Sequence, residues 1–348
     1  MKKEILIIGQ GIAGTSLAFS LLERGHRVQL IDDGHLSSSS KVAAGMWNPA
    51  SFKKLSLGWK AAEQLQLAEA FYIKIEEKLG IKFYHPMQLY RIFPDQHSAN
   101  EWDEKSAQKE FSSILSPEIG PPLKDVKAPF GYGIVKHAGW CNLPAYLQVA
   151  ADYFRENNML VEEKFEASQL DIQDEKFFYE KKKYDRVVLS IGYKNQTIPY
   201  FENIPIYPNK GQVLTLSFDN YKEDKLLNYG NFLLPVDEGK YRLGATYEFN
   251  DPNPDPTIAT REKLLEKLTT VLPTQTPHVL EHKAGYRPTV PDRKPTIGEH
   301  HSIPKLYLFN GFGSKAVMYV PYCLPYFIDL IENGTPVPEE LDLYRFKK

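Results

Sequence analysis

The segment Glu4-Ile5-Leu6-Ile7-Ile8-Gly9-Gln10-Gly11-Ile12-Ala13-Gly14 decides the fold of this chain. Its continuous apolar run, typical of a parallel strand buried on both faces, leads directly into the pattern G-x-G-x-x-G. Helical spacing of apolar residues then continues as far as Gly25, and a second apolar run ends at Asp32. This order of strand, glycine turn, helix and strand predicts a Rossmann-type dinucleotide-binding unit.

Each part of this unit has a predicted contact with a dinucleotide. The glycines allow a tight turn, close approach of a pyrophosphate and close packing of the helix on the strand. The first helical turn offers unpaired N–H groups to the phosphates. Asp32, with Asp33 beside it, is positioned to accept hydrogen bonds from a ribose diol, and an acid there disfavours NADP. The residues predicted to bind the cofactor from this unit are Gly9, Gly11, Ile12, Ala13, Gly14, Asp32 and Asp33.

The composition narrows the class of protein. The formal net charge is −2 over 348 residues, without the basic excess of a general nucleic-acid binder. The two cysteines, Cys141 and Cys323, lie far apart, so neither a disulfide framework nor a metal site is expected. No apolar stretch reaches the length of a membrane span, and glycines interrupt the apolar run near the N-terminus where a signal peptide would continue. The expectation is a cytoplasmic protein.

Rossmann-like segments occur at both ends and in the middle of the chain, with short strand-like runs between them. The expected class is α/β (α+β overall), with a Rossmann-type cofactor domain and a second domain built mostly on an antiparallel sheet. The cofactor domain is expected to be discontinuous, over 1–50, 140–200 and 284–348. The substrate domain is expected over 51–139 and 201–283.

Further segments resemble one family of flavoenzymes. They are Ser39 to Met46, Glu163 to Glu166, Asp185 to Gly192, Lys210 to Leu214, Leu243 to Glu248, Ala284 to Gly298 and Asn310 to Ala316. In this order they resemble the D-amino-acid oxidase and glycine oxidase family of FAD-dependent oxidoreductases. The resemblance implies FAD as the cofactor. It also implies contacts to FAD from Ser39, Ser40, Ala44, Gly45, Met46, Phe165, Ser190, Gly192, Gly311, Phe312, Gly313, Ser314, Lys315 and Ala316.

The sequence departs from the pattern of this family at three places, which bear on the identity of the substrate and on how the flavin is attached. The loop Ser314-Lys315-Ala316 is closer to the Gly-Ser-Arg-Gly loop of the bacterial enzyme that demodifies carboxymethylaminomethyl-uridine in tRNA. The continuation Met46-Trp47-Asn48-Pro49 is unlike glycine oxidase. Gly285 lies where the sarcosine oxidase branch carries a flavin-linking cysteine, so the FAD is expected to be non-covalent.

Arg287 is the predicted carboxylate clamp, because a guanidinium presents a planar fork that pairs bidentately with a carboxylate. The alternative for Arg287 is a structural role tying Pro288 to Asp292. Lys315 is predicted to set positive charge near the flavin, or else to be a solvated loop lysine. The predicted wall of an aromatic substrate pocket consists of Tyr247, Tyr286 and Tyr319.

The leading functional hypothesis is oxidation of the C–N bond of a small amino acid or secondary amine, by hydride transfer to flavin N5. The electron acceptor is O2 or another oxidant, and the oligomeric state is not predicted. One alternative is an FAD-dependent enzyme acting on the modified wobble uridine of tRNA, the only hypothesis with a nucleic acid as partner. Another is an NAD-binding or non-catalytic Rossmann module.

Overall fold

The computed structural model of the chain describes residues 2–34, 38–118, 122–237, 239–249 and 251–346. The helices are α1 (Ile12–Glu23), α2 (Ser39–Val42), α3 (Ala61–Leu79), α4 (Gln96–Ser106), α5 (Leu143–Glu156), α6 (Ile258–Thr269) and α7 (Ala316–Asn333). The strands are β1 (Glu4–Ile8), β2 (Arg27–Ile31), β3 (Met46–Trp47), β4 (Ala50–Ser51), β5 (Ser56–Leu57), β6 (Tyr84–Ile92), β7 (Tyr132–Cys141), β8 (Leu160–Val161), β9 (Asp171–Gln173), β10 (Lys176–Tyr179), β11 (Lys182–Tyr184), β12 (Arg186–Leu189), β13 (Tyr207–Phe218), β14 (Leu226–Asn228), β15 (Phe232–Asp237), β16 (Lys240–Gly244), β17 (Glu248–Phe249), β18 (Pro277–Thr289), β19 (Thr296–Glu299) and β20 (Leu306–Asn310).

The first large sheet is the predicted Rossmann-type layer, in the order β19-β20-β12-β1-β2-β8. Its strands are parallel except for the antiparallel pair β19/β20. Successive side chains of β1 enter two different cores: Ile5 and Ile7 pack with α1, α5 and α7, whereas Leu6 and Ile8 pack on the opposite face. The strand is apolar throughout because both of its faces are buried.

The second large sheet is the predicted antiparallel one, in the order β17-β13-β16-β15-β14-β6-β7-β3, with β18 paired to β13. One of its pairs, β14 with β6, is parallel. The strands β13 and β18 pair from Tyr207 opposite Thr289 to Phe218 opposite Pro277. A register shift at Thr215/Leu216 marks a β-bulge that divides this long pair in two.

The expected division of the chain differs from the structure at three points. The boundaries at 140 and 284 fall inside β7 and β18, which both belong to the antiparallel sheet. The helix α3, expected in the substrate domain, instead packs along α7 in the core of the Rossmann-type layer, through Ala68, Tyr72 and Ile75. An apolar helical stripe predicts that a helix is buried but not which layer it covers.

The last α-helix among the described residues, α7, begins at Ala316 and includes Pro321 and Pro325. None of the helices within the described residues combines the length and the apolar character needed to span a bilayer.

Candidate functional site: a cavity between the two sheets

A cavity of about 950 Å³ lies between the Rossmann-type layer and the antiparallel sheet. Such a volume lies in the range of ligand-binding pockets, about 300–1,000 Å³. The sequence-predicted residues that line it are Gly9, Gly11, Ile12, Ala13, Asp32, Asp33, Ser39, Ser40, Ala44, Gly45, Met46, Phe165, Ser190, Gly192, Tyr247, Arg287, Phe312, Gly313, Ser314, Lys315 and Ala316. The fold therefore brings together segments from both ends and the middle of the chain.

Four of the predicted residues do not line this cavity. Gly14 packs α1 against β1, where an added Cβ would lie 1.9 Å from Gly9 O. Gly311 packs on Val290, where an added Cβ would lie 2.7 Å from Cγ2.

The other two are tyrosines predicted for the substrate pocket. Tyr286 follows Gly285 and precedes Arg287 on β18, so it points to the opposite face of the sheet. Its hydroxyl donates to Asp251 O at 3.0 Å, and its ring packs on Tyr193. Tyr319 is buried against Trp59, with ring centroids 5.9 Å apart. We therefore correct the predicted aromatic wall to Tyr247 alone.

The glycine turn and α2 form the end of the cavity suited to phosphates. Gly9 has a φ of +104°, which L side chains rarely adopt, and its N–H donates to Ile31 O at 2.8 Å. Ser40 lies over the start of α1 and accepts a hydrogen bond from Ile12 N at 3.2 Å. The N-cap residue Gly11 has no side chain to cap the helix, so the first turn of α1 faces the cavity with its positive dipole end.

Asp32 is held rigidly at the end of β2. Its Oδ2 accepts from Gln10 N and its Oδ1 from Gly34 N, both at 2.7 Å. Each carboxylate oxygen has the capacity to accept a further hydrogen bond, because an ionised carboxylate has about four lone-pair sites. The neighbouring Asp33 pairs with Lys194 Nζ at 2.8 Å.

Ser190 provides a test of whether these residues fit FAD. Its Oγ is buried in the cavity wall at the end of β12, and no described residue hydrogen-bonds to it. A buried hydroxyl without a partner is unfavourable, and the polar atoms of a dinucleotide supply such a partner. Phe165 lies in the same wall, stacked on Tyr179 with centroids 5.3 Å apart. With the glycine turn and Asp32, this chemistry fits the adenosine diphosphate half of FAD.

Replacing Asp32 with Ala is expected to weaken FAD binding about ten- to hundredfold, because a hydrogen bond to a charged group contributes about 1.5–3 kcal/mol. Asp32→Asn keeps one acceptor oxygen and is expected to lose less. The measurement is titration of each apoprotein with FAD, followed by flavin fluorescence. Thermal unfolding of the apoproteins is the control for damage to the loop. Unchanged FAD affinity in Asp32→Ala would contradict a role in ribose binding.

The start of α7 forms another part of the cavity wall. Lys315 is the N-cap residue of α7, and its Nζ lies 3.1 Å from where a Cβ on Gly58 would be. No described residue forms an ion pair with it. Burial lowers the pKa of Lys315, and the nearby Arg293 lowers it further. Lys315 is therefore a half-buried cation facing the cavity, rather than a solvated loop lysine.

Arg287 projects from β18 into the cavity beside β13. Its Nη1 donates to Asn209 Oδ1 and to Thr246 O, each at 3.0 Å. The ring of Tyr247 covers the guanidinium, with Cζ 4.4 Å from the ring centroid. Burial lowers the pKa of Arg287, an effect that nearby Tyr247 and Glu248 partly offset.

The interactions of Arg287 do not support the structural alternative. Asp292, the proposed structural partner, pairs instead with Arg345 at 2.9 Å. Among the described residues no carboxylate forms a salt bridge with Arg287, and Nε and Nη2 make no hydrogen bond. The guanidinium is thus anchored at one nitrogen and available at the other two.

Sequence reasoning missed the residues that hold Arg287. Asn209 is fully buried directly opposite Arg287 in the β13/β18 pair. Gly211, two residues further along β13, leaves space for the guanidinium, since an added Cβ would lie 2.1 Å from Nη2. Knowledge of the register in which β13 pairs with β18 would have identified both Asn209 and Gly211 as neighbours of Arg287.

A family model described as FAD dependent oxidoreductase (DAO) matches residues 4–323. The chain is 25% identical to the tRNA 5-methylaminomethyl-2-thiouridine biosynthesis bifunctional protein of Marinobacter nauticus, over 94% of this chain and 55% of that protein. The chain thus spans about half the length of this relative. It is 23% identical to the glycine oxidase of Pseudomonas putida, over 97% of this chain and 96% of that protein.

Solved structures share the fold over the whole chain. The structure of glycine oxidase from Geobacillus kaustophilus is similar with a TM-score of 0.82 and 17% identity, covering 100% of both chains. The structure of iminodiacetate oxidase from Chelativorans sp. BNC1 is similar with a TM-score of 0.78 and 16% identity, covering 96% of both chains.

Proposed function

Since the chain belongs to the DAO family of FAD-dependent oxidoreductases, we propose that it oxidises the C–N bond of a small amino acid or a secondary amine bearing a carboxylate. The observation that carries this proposal is Arg287, a half-buried cation in the cavity wall without a paired carboxylate among the described residues. A buried charge is stable only when it is paired, and a substrate carboxylate supplies the partner.

The chain's own residues orient the substrate. Arg287 offers Nε and Nη2 as two parallel donors, the geometry that binds a carboxylate bidentately. Asn209 and Thr246 hold Nη1, so little rotational freedom is lost when a substrate binds. Tyr247 lies over the guanidinium in a cation–π contact, which limits its movement on that side.

Bound FAD would supply the two-electron acceptor for the hydride of the substrate carbon, while the lone pair of the substrate nitrogen would form the C=N bond. The substrate nitrogen must enter this step unprotonated, because an ammonium has no lone pair to give. The imine product is then hydrolysed by water to a carbonyl compound and an amine. O2 or another oxidant would take up the two electrons and complete the turnover.

The second candidate is a modified tRNA base, favoured by the similarity to the tRNA-modifying relative and by the Ser314-Lys315-Ala316 loop. Its carboxymethylaminomethyl group is itself a secondary amine bearing a carboxylate, so both candidates use the same clamp. They differ in what extends from the nitrogen: a hydrogen or small alkyl group in one, and a whole polynucleotide in the other.

Anaerobic mixing with a panel of substrates separates these candidates. The panel contains glycine, D- and L-amino acids, N-methyl amino acids, and tRNA with and without the modification. We expect the small amino acids to bleach the visible absorbance of the oxidised flavin. Bleaching by modified tRNA alone would establish the second candidate. If neither class bleaches a flavin that dithionite reduces, both are rejected.

A further inference from the structure

A buried asparagine lies in the wall of the cavity that also contains the arginine clamp. Asn231 precedes β15 and is 6% exposed. Its Nδ2 donates to Ala245 O at 3.4 Å, while its Oδ1 is buried and has no hydrogen-bond partner among the described residues. Leaving such an acceptor without a donor is unfavourable, so the position requires an explanation.

The orientation of the Asn231 amide follows from its neighbour. When Nδ2 faces Ala245 O, the amide donates a hydrogen bond and the carbonyl accepts it. The opposite orientation would set two acceptor oxygens against each other with no proton between them. Oδ1 is therefore the group left for a ligand.

Asn231 and Arg287 are fixed to the same short segment of backbone. Asn231 bonds to the carbonyl of Ala245, and Arg287 bonds to the carbonyl of Thr246, the next residue. The two side chains are therefore tethered to adjacent residues, and both line the same cavity. A neutral acceptor and a cationic pair of donors thus belong to one site.

We infer that Asn231 Oδ1 accepts a hydrogen bond from the N–H of the substrate amine while Arg287 holds the carboxylate. This inference rests on the proposed function and narrows its substrate class to α-amino acids with at least one N–H. An acceptor next to a carboxylate-binding fork matches the two polar groups on the α-carbon of an amino acid. Tertiary amines have no N–H in their neutral, reactive form and leave Oδ1 without a partner.

The same hydrogen bond favours the reaction itself. As the carbon loses its hydride, positive charge develops on the nitrogen, and its N–H becomes a stronger donor. A hydrogen bond that strengthens on the way to the transition state accelerates the chemical step. Because the acceptor is a neutral amide, it does not titrate and does not hold the amine in its protonated form. Asn231 is thus a specificity-determining and positioning residue.

Two ligands that cannot be oxidised test the inference. α-Aminoisobutyrate has no hydrogen on its α-carbon, and pivalate replaces its amino group with a methyl group. Their affinities are measured with FAD-loaded protein from the change in flavin absorbance. We expect the parent protein to prefer α-aminoisobutyrate about ten- to hundredfold, as for a hydrogen bond to a charged group. In Asn231→Leu the ratio is expected to fall to about one, with pivalate affinity unchanged.

Two variants keep the test decisive. Asn231→Gln retains both an amide donor for Ala245 O and an acceptor oxygen, so it is expected to retain part of the preference, which addresses a folding defect in Asn231→Leu. Asn228→Leu is the matched control, because Asn228 lines the same wall but its Oδ1 already accepts from Arg91 Nη1 at 2.7 Å. It is expected to keep the preference.

Contrary outcomes fall into separate classes. If both ligands bind the parent protein equally, or if Asn231→Leu keeps the preference, the role of Asn231 is overturned and the clamp remains. If neither ligand binds the parent protein, the proposed amino-acid function fails together with the inference. If Asn231→Leu loses FAD affinity while the ratio of the affinities for α-aminoisobutyrate and pivalate is unchanged, Oδ1 contacts the cofactor. That result would also overturn the inferred role of Asn231.

Discussion

Replacing Arg287 with Ala is expected to slow flavin reduction by the true substrate about 10²- to 10³-fold, because removing one partner of a buried charge pair costs about 3–5 kcal/mol. The alanine side chain leaves the substrate carboxylate without donors beside the flavin. The measurement is stopped-flow bleaching of the flavin under anaerobic conditions, over a range of substrate concentrations. FAD content is expected to be unchanged, because the residues proposed to bind the cofactor lie mainly on the glycine turn, β2 and α2.

Arg287→Lys distinguishes a fork from a point charge. An ammonium restores the charge but not the two parallel N–H donors, so only part of the rate is expected to return. Full recovery with lysine would show that charge alone is sufficient. A loss of less than tenfold in Arg287→Ala, with FAD bound and the fold intact, would contradict the clamp.

Replacing Gly211 with Ala is expected to slow flavin reduction strongly, although glycine has no side chain with which to contact a substrate. The added Cβ would lie 2.1 Å from Nη2 and 2.4 Å from Cζ of Arg287, distances that displace the guanidinium from Asn209 and Thr246. The expected loss is about tenfold to 10³-fold in flavin reduction, since small displacements of a positioning group have effects on the order of 10²-fold.

A double-mutant cycle checks that Gly211 acts through Arg287. If it does, the rate of Gly211→Ala/Arg287→Ala equals that of Arg287→Ala alone, because the displaced group is already absent. If the loss of rate in the double variant equals the product of the two single losses, Gly211→Ala also disturbs something other than Arg287. Retained activity in the single variant would show that the arginine has room to move.

The sequence predicts the cofactor half of the molecule well because its signals are local. A buried strand, a glycine turn and a helix follow one another within the first two dozen residues, and each imposes its own pattern on the chain. The order β1, α1, β2 is accordingly found as predicted. The end of α3 likewise has a local cause, since its apolar stripe stops at Gly80, a left-handed C-cap with φ +69°.

The partners of these elements are less predictable, because they are set by tertiary packing. The stripe of α3 does not specify that α7, almost 250 residues later, is its neighbour. Tyr286 is different: strand alternation alone says that it cannot share a face with Arg287. Proximity to Arg287 in the sequence therefore does not place a β18 side chain in the cavity unless it also has the same parity along the strand.

Residues at the substrate end were missed because their roles depend on distant segments. In the sequence, Gly230-Asn231 has the pattern of a turn. Only the hydrogen bond from Asn231 Nδ2 to Ala245 O shows that Oδ1 is left as a buried acceptor. The need for glycine at 211 arises from a side chain 76 positions away in the chain, carried by the paired strand.

The β-bulge between Thr215 and Leu216 has a consequence for how this family of sequences can vary in length. On the site side of the bulge, Asn209 lies opposite Arg287 and Gly211 opposite Gly285; on the far side, Leu216 lies opposite Val279. An insertion or deletion in the far arm can be absorbed as a change in the bulge, without turning Arg287 to the other face. The far arm is therefore the region where loops and fusion partners can be engineered without disturbing the site. One residue added between 209 and 213 would instead turn the β13 residues on one side of it to the other face of the sheet.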